Sequence, residues 1–192
     1  MRLILASASP RRRALLGEAG FTFDVMPADV DEWVKSEWTA EEAAQRLAER
    51  KALALTERLG DEPVRIVGSD TVVAVTQDGR DRLLGKPEDE DEARHFLSLL
   101  SDSRHRVVTG VAVCEHPSGR LESSYERTWV TMRALSEAEI EAYVASGEWR
   151  GKAGGYAIQE NADAFVTQLE EGGFDNVVGL PVGLTRELLG RF

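Results

Sequence analysis

The sequence predicts an α/β fold in which a mixed β-sheet is flanked by helices. Three observations predict it. Apolar runs of strand length alternate with longer amphipathic segments, two Ser/Thr-x-x-Glu boxes mark helix starts, and the middle of the chain reads as an antiparallel hairpin.

Residues 2–6 form the first apolar run. Ser9 and Pro10 then suit an N-cap and a first helical position, so a helix is expected over 10–19 with Gly20 as its stop. Residues 21–26 read as a second strand, followed by a polar loop from Pro27 to Lys35. Thr39-Ala-Glu-Glu42 is a capping box, and its helix is expected to reach about Leu59. Val64–Val67 is a buried strand ending in Gly68-Ser69-Asp70, and Thr71–Val75 continues it. Gln77–Arg80 is a turn. Gly85-Lys86-Pro87 opens an acidic stretch that becomes a helix near 90–100. Residues 105–114 and 121–133 are strands joined by Pro117-Ser-Gly119. Ser136-Glu-Ala-Glu139 starts a helix that ends at Gly147. Gly151–Gly155 is a loop, 155–159 and 164–169 read as strand-like, and a final helix follows Leu180-Pro181 to about Leu189.

A length of 192 residues suits a single domain, 1–192, or at most one domain with two lobes. The formal net charge of −11 argues against a nucleic-acid or membrane-surface binder, whose footprint is basic. It leaves room for a nucleotide, because local charge can oppose the global sign. The lone cysteine, Cys114, excludes an internal disulfide and any CxxC metal site, and reads as a small buried hydrophobe. No apolar stretch approaches the ~20 residues of a membrane span, and the short run after Arg2 is no signal peptide. A cytoplasmic protein is therefore expected.

The chemistry starts at Ser7-Ala-Ser-Pro-Arg-Arg-Arg13. A strand, a polar turn and a helix start leave free N–H groups at the positive end of a helix dipole, which favours an anion. Ser7 adds a hydroxyl, and Arg11 and Arg12 add guanidinium forks that fit phosphate oxygens. Successive helical residues lie about 100° apart, so Arg13 is expected to face solvent. Asp70, where the apolar strand turns polar, reads as a metal ligand or general base, or else as a turn-capping aspartate. Asp29, Asp31 and Glu32 form an acidic loop cluster, either a hard-metal ligand set or solvated charge.

Lys86 in its constrained turn and Lys152 in a glycine-rich loop are further phosphate candidates. The full GxxxxGK[ST] pattern is missing, so the sequence does not support a P-loop. Lys51, mid-helix, reads on spacing as a surface lysine. The three histidines, His95, His105 and His116, show no metal spacing, and no GxSxG nucleophile elbow occurs. Dispersed cations in an acidic chain fit a triphosphate, and metal-assisted hydrolysis of a phosphoanhydride is the most economical chemistry.

Several ordered motifs together carry a family resemblance: Leu5-Ala-Ser-Ala-Ser-Pro-Arg-Arg12, Lys51, Gly68-Ser-Asp-Thr71, Gly85-Lys-Pro87, Thr109-Gly110, Lys152-Ala-Gly-Gly-Tyr-Ala-Ile-Gln159 and Val178-Gly-Leu-Pro181. Over essentially its whole length the chain resembles the Maf family of nucleoside triphosphate pyrophosphatases. The resemblance implies an elongated domain with a central cleft. It also implies cleavage of a triphosphate to the monophosphate and pyrophosphate with a divalent metal cation, Mg or Mn. Asp70 takes the implied role of catalytic proton acceptor and metal ligand, and Glu32 that of the second acid at the metal. Ser7, Arg11, Arg12, Lys51 and Lys86 resemble the phosphate-contacting set, to which Lys152 is added. Arg11, Thr71 and Gln159 resemble the subgroup acting on dTTP and UTP, and a glutamine can offer a pyrimidine edge both a donor and an acceptor. Ser69 and Glu160 depart from the pattern, which bears on which modified pyrimidines are accepted. The partners implied are a nucleoside triphosphate and a second copy in a homodimer. The competing expectations are the same reaction on 7-methyl-GTP or another non-standard nucleotide, and a non-catalytic regulator of cell division.

Overall fold

A computed structural model of the chain describes residues 1–77, 79–159 and 161–192. In order run β1 (Arg2–Leu5), α1 (Pro10–Glu18), β2 (Asp24–Val25), α2 (Ala40–Leu53), β3 (Val64–Gln77), β4 (Arg80–Leu84) and α3 (Glu90–Leu100). Then follow β5 (Arg104–His116), β6 (Arg120–Met132), α4 (Glu137–Ser146), β7 (Val166–Glu170), α5 (Phe174–Val178) and α6 (Val182–Leu189). The strands form one mixed seven-stranded sheet in the order β2-β1-β3-β5-β6-β7, with β4 paired to β3, as the α/β reading expects.

Two compact units divide the chain. The first comprises Met1–Asp70, Thr109–Glu126 and Gly179–Phe192. Here β1 runs parallel to both β2 and β3, with Ile4 opposite Asp24 and Ile66. Strand alternation sends side chains to two faces. Ile4, Val64, Ile66, Ala112 and Cys114 pack with Ala48, Ala52 and Leu55, in and just after α2. Leu3, Leu5, Val67, Val111 and Val113 pack with Leu16 of α1 and Leu188 of α6. Helices thus cover both faces of the parallel strands, the arrangement such strands require.

Helix α2 lies unusually close to the sheet. A Cβ at Gly68 would fall 2.2 Å from the carbonyl oxygen of Ala48, and one at Gly110 would fall 2.2 Å from that of Ala44. Glycines on the strands and alanines on the helix permit this approach. The consequence is positional, because it seats α2 directly against the part of β3 that carries Asp70.

The second unit comprises Thr71–Val108 and Arg127–Val178. Its β3–β4 hairpin pairs Val73 with Leu84, and its β7 runs antiparallel to β6. Ala93, Phe96, Leu97 and Leu100 form the buried stripe of α3. Asn176, fully buried, donates to the Val107 carbonyl at 3.1 Å and to Thr128 Oγ1 at 2.8 Å.

Local signals correspond closely to what forms. Ser9 caps α1 by accepting from the Arg12 amide, and both capping boxes are present at α2 and α4. Gly147 closes α4 in the left-handed conformation. Three expectations need correction. Helix α2 stops at Leu53 rather than Leu59, because Leu55 turns into the core and Thr56 Oγ1 bonds the Leu53 carbonyl at 2.7 Å, a local competitor to helix continuation. Residues 155–159 are not a strand, since Gly154 and Gly155 adopt φ of +69° and +73°. Only Asp24–Val25 pair in the 21–26 segment, while Phe21 and Phe23 pack against the α1 and α6 side of the core. Asp78, in the expected turn before β4, and Glu160 lie outside the described residues. Cys114 is buried, and burial raises its thiol pKa, as a small core residue should show. Among the described residues no helix is long and apolar enough to cross a membrane.

Candidate active site

In the first unit, the turn between β1 and α1 is tied by its own hydroxyls. Ser7 Oγ accepts from the Ser9 amide at 3.2 Å and from Arg12 Nη1 at 3.3 Å. Arg12 Nε also donates to the Gly179 carbonyl at 2.8 Å, and Ser69 Oγ donates to that same carbonyl at 3.0 Å. These bonds aim Arg12 from the start of α1 back across the turn and link it to β3. Arg11 is half-buried, and Arg13 is exposed as its helical position requires.

Desolvation lowers the Arg12 guanidinium pKa, while Asp70 and Glu32 oppose that shift and Arg11 reinforces it. Arg12 therefore sits in the field of both acids. Asp70 lies inside β3 rather than at a strand end or turn, and is 7% exposed. Its backbone is extended strand rather than turn, which excludes the turn-capping reading.

Lys51 overturns its spacing-based reading as a surface lysine. It is 7% exposed, and its ammonium donates to Asp70 Oδ1 and, at 2.8 Å, to Glu32 Oε1. The signal was present in the sequence. Lys51 follows Leu47 and Ala48 by four and three residues, so it occupies the apolar stripe of α2. A lysine on a buried face needs charged partners, because an isolated ammonium there is costly. Glu32 reaches it from the loop after β2, with its side chain 41% exposed. Two carboxylates thus converge on one cationic group beside an arginine-bearing helix start. Asp29 and Asp31 are exposed on the same loop.

Among the described residues no group of three or more His, Cys, Asp or Glu side chains gathers in a way that would hold a metal ion. The Glu32–Asp70 pair is a smaller donor set of hard carboxylate oxygens. That suits Mg²⁺, which typically takes one or two carboxylates and completes its shell with substrate phosphates and water.

The second unit holds the remaining sequence candidates. Thr71 follows Asp70 on β3 and is half-buried. Lys86 is exposed after β4, Lys152 is 6% exposed, and Gln159 is exposed. The two lysine-bearing loops are joined, since the Gly154 amide donates to the Gly85 carbonyl at 2.9 Å. A Cβ at Gly155 would sit 3.2 Å from Pro87 Cγ. No local sequence signal marks what anchors this stretch. Tyr156 Oη meets His105 Nε2 at 2.6 Å, and His105 Nδ1 lies 3.2 Å from Ser103 Oγ. Both aromatic residues are buried, and their rings meet edge-on at 5.6 Å. Burial drops the His105 pKa to about 4, so it is neutral near pH 7 and serves as a hydrogen-bonding strut. His95 and His116 instead lie beside Arg82 and the Gly60 carbonyl.

The family model described as Maf-like protein matches residues 2–192. A protein of Pelotomaculum thermopropionicum named dTTP/UTP pyrophosphatase is 44% identical over 190 residues, covering 99% of this chain and 96% of the relative. Proteins of the same name from Hyphomonas neptunium and Maricaulis maris are 48% and 49% identical. They align over 97% and 98% of this chain and over 93% and 86% of their own lengths.

Proposed function

The chain belongs to the Maf-like protein family, and on that premise we propose that it is a metal-dependent nucleoside triphosphate pyrophosphatase acting on dTTP and UTP. The observation that carries the reading is the convergence of Asp70 and Glu32 on Lys51, beside Arg12 at the start of α1.

Water is the nucleophile. Its oxygen adds to phosphorus as the α–β anhydride bond breaks, leaving the monophosphate and pyrophosphate. Asp70 accepts the water's proton, a role its rigid place in β3 supports. Lys51 holds the Asp70 carboxylate in one orientation, so little reorganisation is needed during the reaction. Arg12, Arg11 and Ser7 bind phosphate oxygens at the helix start, where free amides and the helix dipole add to the attraction. Fixed cations there stabilise the negative charge that develops on the leaving pyrophosphate. Lys86 and Lys152 belong to the phosphate-contacting set, and Thr71 and Gln159 to the contacts that choose the base. Glu32 and Asp70 would hold the divalent cation, Mg²⁺ or Mn²⁺, which when bound neutralises phosphate oxygens and acidifies water.

The family resemblance extends the proposal to a cytoplasmic homodimer, which sedimentation of the purified protein tests. The roles at the site are tested by Asp70→Asn, which keeps shape and removes the proton acceptor. Pyrophosphate release from dTTP is expected to fall about 10²- to 10⁴-fold with nucleotide affinity retained. A kcat within tenfold of the parent protein refutes the role of Asp70.

A further inference from the structure

Glu32 stands on residues 26–38, which join β2 to α2 without helix or strand pairing. The near end of this segment is anchored, since Met26 and Ala28 pack on the core and Arg58 Nη1 donates to the Pro27 carbonyl at 2.9 Å. Further along, residues 31–37 are all exposed, and no buried side chain among them holds the backbone in place. Glu32 nevertheless meets Lys51 at 2.8 Å.

The residue preceding Lys51 on α2 accounts for this. Arg50 Nη1 donates to the Trp33 carbonyl at 2.8 Å and to the Asp31 carbonyl at 3.4 Å, gripping the backbone on either side of Glu32. Its guanidinium lies 4.0 Å from the centre of the Trp33 ring and 5.3 Å from that of Trp38. The two indoles stack at 5.7 Å with 24° between their planes, and Arg46 covers Trp38 at 5.1 Å. Planar guanidinium groups stack on indole faces while still donating in plane, which an ammonium cannot match. Adjacent helical residues project about 100° apart, so Arg50 can hold the loop's backbone while Lys51 receives its side chain.

We propose that Arg50, packed against the stacked Trp33 and Trp38, is a positioning residue that fixes Glu32 against Lys51 and so completes the Glu32–Lys51–Asp70 cluster. Groups that orient site carboxylates from outside commonly change activity or metal affinity by about 10- to 100-fold when removed.

The inference rests on the proposed pyrophosphatase reading for its kinetic arm alone. Arg50→Ala is expected to lower kcat for dTTP with Mg²⁺ by about tenfold or more, with KM changed less than about threefold. Arg50→Lys, which keeps a donor but loses the planar fork, is expected to fall between. In a Glu32→Gln background Arg50→Ala should add no further loss, because the two changes act on one element. Without nucleotide, amide hydrogen exchange at residues 29–37 is expected to quicken in Arg50→Ala and in Trp33→Ala. The inference is overturned by exchange equal to the parent protein, by a kcat within twofold, or by losses that multiply in the double variant. If the parent protein releases no pyrophosphate, the functional reading fails and hydrogen exchange alone decides whether Arg50 clamps the loop.

Discussion

Substituting His105 by Gln removes a buried imidazole whose protonation the fold opposes. His105 is fully buried between Ser103 Oγ and Tyr156 Oη, and burial brings its pKa to about 4 from the ordinary 6.5. The unfolded chain takes up a proton below pH 6.5, whereas the folded protein refuses it until about pH 4. The stability held by the neutral ring is thus complete above pH 6.5 and is lost as pH falls toward 4. At about 1.36 kcal/mol per pH unit, that interval is worth about 3 kcal/mol. This is a large part of the ~5–15 kcal/mol that holds a typical domain together. The assay is urea unfolding of the parent protein and His105→Gln at several pH values from 4.5 to 7.5, where carboxylates common to both proteins cancel in the difference. The destabilisation caused by the substitution should be largest near neutral pH. It should shrink by about 2–3 kcal/mol on descending to pH 4.5. Parallel curves would show that the fold does not oppose protonation of His105. Tyr156 precedes Gln159 by three residues, so the same acidification is expected to loosen the 152–159 stretch.

Two further outcomes follow from the packing that builds the site. Gly68→Ala would force a Cβ to 2.2 Å from the Ala48 carbonyl oxygen and 2.7 Å from the Ala52 amide, backbone atoms that cannot rotate aside. Denaturant unfolding should report a loss of about 3 kcal/mol, with activity falling as α2 lifts from β3. Lys51→Met keeps the side chain's bulk but leaves Asp70 and Glu32 facing one another without an ammonium. Pyrophosphate release is expected to drop about 100-fold or more in steady-state assays, with partial recovery in Lys51→Arg.

Helix ends and strand alternation were legible because they depend on neighbours in sequence. Ser9-Pro10, Thr39–Glu42 and Ser136–Glu139 each satisfy their own helix start. Asp70 stood out because an acid interrupts an apolar strand. Lys51 reads on spacing as a surface lysine, because its partners Glu32 and Asp70 lie nineteen residues away on either side, beyond the reach of any local pattern. What joins them is the close seating of α2 on β3 at Gly68, a tertiary fact with no local signature. The Arg50–Trp33–Trp38 stack and the His105–Tyr156 strut were invisible for the same reason. Each joins segments whose proximity only the folded chain determines.

Product analysis across a panel of nucleoside triphosphates with Mg²⁺ and Mn²⁺ tests which bond is cut and which base is chosen. The expected result is conversion of dTTP and UTP to their monophosphates with one pyrophosphate released per nucleotide, and slower turnover of purine substrates, 7-methyl-GTP included. Preference for a purine, or release of orthophosphate in place of pyrophosphate, contradicts it.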